Sequence, residues 1–287
     1  MVLMSFMPLT TPLISVDHLR TMIDANVPLR LLDVRYRLGH TDGHDLYRAG
    51  HIPGAVYVDL DTELAGHGEP QEGRHPLPAH DELQAAARRW GISAGDTVIV
   101  YDDARMLPAS RAWWALHRTG VDVRVLDGGL AAWRDAGGEI ETGEVLPEPG
   151  DVTLIEPSGD DVISTAEAAQ WPAHGVLLDA RASERYRGET EPIDPIAGHI
   201  PGARNLPIAD LLTSDGHFRD ADEIAEVFEE RGVAERTRVA AYCGSGVTAA
   251  QLALAGAIIG RDVSVYVGSW SAWSNTPDAK IATGEDS

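Results

Sequence analysis

Four short segments of this chain occur twice, in the same order and at offsets of 140 to 148 residues. Leu31-Leu32-Asp33-Val34-Arg35 returns as Leu177-Leu178-Asp179-Ala180-Arg181, and Gly50-His51-Ile52-Pro53-Gly54-Ala55 returns as Gly198-His199-Ile200-Pro201-Gly202-Ala203. Val98 to Asp102 corresponds to Val239 to Cys243, and Asp127 to Trp133 to Val267 to Trp273. A period this long means two copies of one domain rather than a short-period solenoid. The 287 residues suffice for two ordinary cores. The division this predicts is an N-terminal domain over 1–140, a linker over 141–161 and a C-terminal domain over 162–287.

Each copy alternates short apolar runs with amphipathic ones. In the first, Leu29 to Val34, Ala55 to Val58, Thr97 to Tyr101 and Val123 to Leu126 read as strands, and Asp81 to Trp90 and Ala109 to Thr119 as helices. That alternation predicts an α/β fold in which each copy is a parallel sheet flanked by helices. Between the copies, Glu141 to Asp161 is rich in Pro, Gly and acidic residues, and is expected to span as an extended connector rather than to pack.

The chain has one cysteine, Cys243, at the end of the run Val239 to Tyr242. It opens the turn Cys243-Gly244-Ser245-Gly246-Val247-Thr248, which leads into the helical stretch Ala250 to Ala255. In such a turn successive N–H groups converge on one point and the helix N-terminus adds partial positive charge, an arrangement that stabilises an anionic sulfur. The competing reading is a buried cysteine acting as a small hydrophobe. In open parallel sheets ligands sit beyond the carboxyl ends of the strands, which is where Cys243 falls. The first copy has Asp102 there, followed by Asp103 to Pro108 without the glycine spacing. One copy thus carries a nucleophile and the other does not.

The net charge of −22 sets polyanions aside as partners, so neither nucleic acid nor an acidic membrane surface is expected. A small anion held by a local arginine remains compatible with that charge, because salt screens the global field over about 8–10 Å. A single cysteine suits a reducing compartment. Met4 to Leu13 is interrupted by Pro8 and Pro12 and does not read as a signal peptide, and no run approaches a membrane span. The expectation is a cytoplasmic protein.

Asp179-Ala180-Arg181, Arg185-Tyr186-Arg187-Gly188, the two His-Ile-Pro-Gly-Ala segments, the Cys243 to Ala249 loop and Gly268-Ser269-Trp270 together resemble the two-domain rhodanese (sulfurtransferase) family, over nearly the whole chain. The resemblance implies two tandem rhodanese-like domains, a catalytic C-terminal one and a non-catalytic N-terminal one, with a persulfide on Cys243 as intermediate. Family members that prefer thiosulfate commonly carry Cys-Arg-Lys-Gly-Val-Thr at the loop, and those that prefer 3-mercaptopyruvate carry Cys-Gly-Ser-Gly-Val-Thr, as here. Mercaptopyruvate is therefore the expected donor, with thiosulfate as the alternative. Arg185 matches a substrate-contacting arginine, whose single guanidinium can hold one carboxylate in bidentate fashion. A second arginine usual some nine residues later is missing; the chain reads Glu191-Pro192-Ile193-Asp194-Pro195.

Under this reading the N–H groups of Gly244, Ser245, Gly246, Val247 and Thr248 form the persulfide cradle. The hydroxyls of Ser245 and Thr248 are candidates for a relay to the donor carbonyl, Thr248 equally for an N-cap. Asp179, His51 and Asp42 are candidate supporting residues, though His51 and His199, kept in both copies, suit a shared structural role better. The donor is a small anion; the acceptor is a small thiol, a thioredoxin-like protein or cyanide. No metal or organic cofactor is expected. His40, His44, His67, His75 and His80 match no metal-binding spacing and read as solvated. A phosphatase would need an arginine where Ala249 stands, whereas a persulfide carrier or redox sensor without turnover would share the same loop.

Overall fold

The β-branched and leucine-rich runs become strands buried on both faces, as a sheet covered by helices on each side requires. The computed structural model describes residues 11–285, so the stretch from Met4 weighed as a signal peptide falls mostly outside the described residues. The first sheet contains β1 (Leu13–Ile14), β2 (Leu29–Arg35), β3 (Val56–Asp59), β4 (Thr97–Tyr101) and β5 (Val123–Leu126). Its order is β1-β5-β4-β2-β3, with every pairing parallel. The second contains β6 (Val176–Asp179), β7 (Arg204–Asn205), β8 (Val239–Tyr242) and β9 (Val263–Val265), in the parallel order β7-β6-β8-β9. The orders superimpose, and the counterpart of β1 shrinks to a single parallel bridge between Val162 and Val265.

The repeated motifs have one shared physical task. In each copy an aspartate at the end of a central strand is buried and paired with the arginine two residues on: Asp33 with Arg35 at 2.6 Å, Asp179 with Arg181 at 2.6 Å. The same arginine donates to the carbonyl of the glycine that opens the His-Ile-Pro-Gly turn, Gly50 at 2.9 Å and Gly198 at 2.6 Å. The turn's histidine then stacks on a tyrosine, His51 on Tyr47 at 4.1 Å and His199 on Tyr186 at 3.8 Å between ring centroids. The strand-end tyrosines, Tyr101 and Tyr242, accept the N–H of Ile52 and Ile200 through their hydroxyl oxygens. These contacts pin the turn to the sheet edge in both halves.

The helices that follow the two central strands, Leu107–His117 after β4 and Val247–Ile258 after β8, pack against each other. The second is apolar nearly all round, as befits a helix wedged between two domains. Residues 141–161 hold no helix or strand, but they do pack, against the expectation of a free connector. Val152 and Leu154 are buried in the main core. Gln84 clasps both their backbones, donating to the Val152 carbonyl at 2.7 Å and accepting the Leu154 N–H at 2.8 Å. Gly150 runs so close that a Cβ there would lie 1.9 Å from the Ile92 carbonyl oxygen, so only glycine fits. Among the described residues no helix is long and apolar enough to cross a membrane.

Each domain also sends one loop onto the other. The stretch before helix His80–Arg89 brings Arg74 and His75 to the second domain, where the Arg74 N–H donates to Ser271 Oγ at 3.1 Å and His75 meets Ser245. The stretch before helix Ala221–Glu230 crosses the other way: Asp127 pairs with His217 and accepts the Phe218 N–H, and Arg105 donates to the Ser214 carbonyl.

Candidate active site

Strand β8 ends in Cys243, and the chain turns through Gly246 at φ +83°, the residue that precedes the helix Val247–Ile258. A Cβ on Gly246 would also lie 2.5 Å from the Val267 carbonyl oxygen, so conformation and space both demand glycine. The turn aims the Gly246 N–H at Cys243 Sγ, 3.1 Å away. The Cys243 N–H donates to Ser269 Oγ at 3.1 Å, and that hydroxyl stands 4.0 Å from the sulfur. Ser269 itself holds φ +53°, uncommon for a residue with a side chain and a form of strain that collects at functional sites. The carbonyls of Cys243 and Gly244 accept N–H groups from Trp270 and Ser271, tying the loop to the next one. Cys243 is 2 % exposed, at the floor of the site.

Over this floor hang side chains from both domains. Ser245 Oγ lies 2.8 Å from His75 Nδ1, and His75 Nε2 lies 3.1 Å from Asp61 Oδ1. Burial, followed by the charges of Arg111 and Arg74, pushes His75 down to about 4, so the imidazole is neutral near pH 7. A carboxylate can only accept, so Nε2 carries the proton toward Asp61 and Nδ1 accepts from the Ser245 hydroxyl. Arg111, fully buried in the helix Leu107–His117, donates to the carbonyls of Leu64 and His75 and so holds the loop that carries the imidazole.

Two guanidinium groups flank the loop at Gly244. A Cβ placed there would lie 3.2 Å from Arg74 Nη2 and 3.5 Å from Arg185 Nη1. Arg185 is held by Glu191 at 2.6 Å, and Arg74 pairs with Asp194. Arg181 joins Asp179 to Glu191, which it meets at 3.3 Å, so Asp179 reaches Arg185 only through two intermediaries.

Cys243, Gly244, Ser245, Gly246 and Arg185 thus share one place. Val247 is buried in the first helical turn beside Thr248, which is half-buried; the cap of that helix is Gly246, so Thr248 does not fill that role. His51 lies elsewhere: it is buried against Tyr47, donates through Nδ1 to the Tyr47 carbonyl, and bridges by backbone to Glu141 at the start of the connector. Asp42 is exposed at the head of helix Gly43–Ala49. Asp179 is consumed by Arg181. His75, expected to be solvated, is buried in the site, and Arg74, Asp61 and Ser269 were not singled out for it. The signal for His75 and Arg74 was their loop, Gly73-Arg74-His75-Pro76, whose sequence is not among the repeated segments.

A profile of the Rhodanese-like domain matches residues 15–136 and again 164–276. The chain is 47 % identical over 278 residues to a putative thiosulfate sulfurtransferase of Mycobacterium tuberculosis, covering 95 % of this chain and 97 % of that one. It is 42 % identical over 271 residues to a probable 3-mercaptopyruvate sulfurtransferase of Pseudomonas aeruginosa, covering 90 % and 93 %. Among solved structures, the 3-mercaptopyruvate sulfurtransferase SseA of Escherichia coli aligns with a TM-score of 0.81 at 32 % identity, over 91 % of this chain and 99 % of that one.

Proposed function

Since this chain belongs to the rhodanese family, as a tandem-domain sulfurtransferase, we propose that it takes sulfur from 3-mercaptopyruvate onto Cys243 and passes it to a thiol or to cyanide. The observation that carries the donor assignment is the Ser245–His75–Asp61 chain of hydrogen bonds above the thiol. Thiosulfate leaves as sulfite and needs no help at carbon. Mercaptopyruvate leaves as an enolate, which needs a hydrogen-bond donor at its oxygen and a proton at its methylene carbon.

The step balances as follows. The anionic Cys243 sulfur attacks the donor's sulfur, forming the S–S bond as the C–S bond breaks. The electron pair of that bond becomes the pyruvate enolate, whose oxygen the Ser245 hydroxyl stabilises by turning its one proton from His75 Nδ1 to that oxygen. The proton of the donor's own thiol ends on the enolate carbon, giving pyruvate and a persulfide anion on Cys243. The Gly246 N–H supports the negative charge on sulfur. Arg74 and Arg185 face the loop from opposite domains and hold the donor carboxylate. Arg74 thereby stands in for the second arginine missing near position 194. An acceptor thiol or cyanide then attacks the outer sulfur and restores Cys243.

The relative from Mycobacterium tuberculosis is named for thiosulfate, so the deciding measurement is kcat/KM for both donors on one preparation. Mercaptopyruvate is expected to win by more than about tenfold, or roughly 1.4 kcal/mol. A thiosulfate preference of that size would replace the donor assignment.

A further inference from the structure

We propose that Asp194 is a specificity-determining residue that fixes the charge of the donor clamp and admits donors with one negative charge in preference to those with two. This rests on the reading of Arg74 and Arg185 as the donor's partners. Asp194 has only 2 % of its side chain exposed. Its carboxylate lies between the two guanidiniums, on Arg74 Nη1 through one oxygen and 3.5 Å from Arg185 Nη2 through the other. It is not a stray surface group. Glu191 accepts the backbone N–H of both Ile193 and Asp194, and the Trp270 indole N–H donates to the Ile196 carbonyl at 2.9 Å, so the segment is held at both ends.

Asp194 and Glu191 take up Arg74 Nη1 and Arg185 Nε and Nη2. Among the described residues, Arg74 Nη2 and Arg185 Nη1 have no hydrogen-bond partner, and these are the nitrogens beside Gly244. Arg74 Nε is a buried donor without a partner as well. What is left open suits one carboxylate. Arg74, Arg181 and Arg185 are matched by Asp179, Glu191 and Asp194, so the cluster is neutral overall: it holds a donor through its open N–H groups and has no surplus positive charge to offset the desolvation of a second negative one. Burial raises the proton affinity of Asp194 even against Arg74, a sign that its charge is maintained at a cost. Coulomb energy is linear in the donor's charge, so a fixed carboxylate penalises a dianion twice as heavily in energy as a monoanion, and by the square in affinity.

Alkylation of Cys243 tests this without turnover. The rate with iodoacetate, an anion, divided by the rate with iodoacetamide, its neutral analogue, reads the potential at the sulfur. Asp194→Asn should raise that ratio about threefold, and should tighten thiosulfate, measured as protection against iodoacetamide, about ninefold. Arg74→Gln and Arg185→Gln should lower the ratio. If Asp194 serves only to aim Arg74, Asp194→Asn lowers the ratio too, and a lowered or unchanged ratio overturns the proposal. If neither arginine variant moves it, the clamp reading fails instead, and absent pyruvate release with the expected ratios would count against the activity alone. Asp194→Ser provides a second variant should the asparagine side chain disturb the fold.

Discussion

At the end of β4 the Asp102 carboxylate accepts N–H groups from Ala104, Met106 and Ala109 at 2.7–2.9 Å, whereas at the end of β8 the Cys243 sulfur accepts one, from Gly246. Elsewhere the turns coincide: Leu130 donates to the Asp102 carbonyl as Trp270 does to that of Cys243, at 2.8 and 2.9 Å. The N-terminal turn uses one residue more to reach its helix and passes through two left-handed residues, Arg105 and Met106. The same sheet edge therefore turns backbone N–H groups onto the strand-end side chain twice, three onto the Asp102 carboxylate and one onto the Cys243 sulfur.

The sharpest way to break this comparison is at the two strand ends themselves. Cys243→Ser should lose more than about a thousandfold of pyruvate release, while folded Asp102→Asn keeps turnover within about threefold. Equal losses, measured by steady-state kinetics, would mean that the copies are not divided in this way.

The next effect is on stability. Burial holds the Asp102 carboxyl up at about 7, against the three N–H groups that favour its charge. A folded value above the unfolded 3.8 means that its stabilising contribution is full below 3.8 and is lost as pH rises toward 7. Chemical denaturation should show wild type giving up roughly 2–4 kcal/mol from this group across that window. Asp102→Asn should lack the dependence; identical pH profiles would show that the carboxylate is not desolvated.

A smaller effect sharpens what the neighbouring domain contributes. Ser245→Ala and His75→Gln should each lower kcat for mercaptopyruvate by about ten- to a hundredfold, and the double variant little further, because the two act as a unit. Multiplicative losses in a double-mutant cycle would separate them.

The features legible in the sequence were those the copies share. Asp-x-Arg, the His-Ile-Pro-Gly turn and the strand–helix alternation are written twice, and each match reinforces the other. What escaped was what the copies do not share. Arg74 and His75 come from a loop whose counterpart crosses the other way but does not repeat its sequence, and neither residue has meaning until the helices after β4 and β8 pack and bring that loop over Ser245. A search for metal spacing could not find them, since a lone imidazole meets its partner 170 residues away. The connector was misread for a related reason: Pro, Gly and acid dominate it, but Val152 and Leu154 alternate with Thr153, and that short apolar pair suffices to seat it.

The exchanged loops make the chain resemble a two-fold homodimer whose protomers have been fused end to end. In such a pair each partner completes the other's cleft, and symmetry would give two identical workplaces. Here the pair keeps the mutual embrace yet carries a thiol on one side only, with Asp102 at the equivalent place on the other. A C-terminal half produced by itself would keep its sulfur and its glycine turn but forfeit Arg74, His75 and Asp61 together. The working unit is the couple, not the half that carries the thiol.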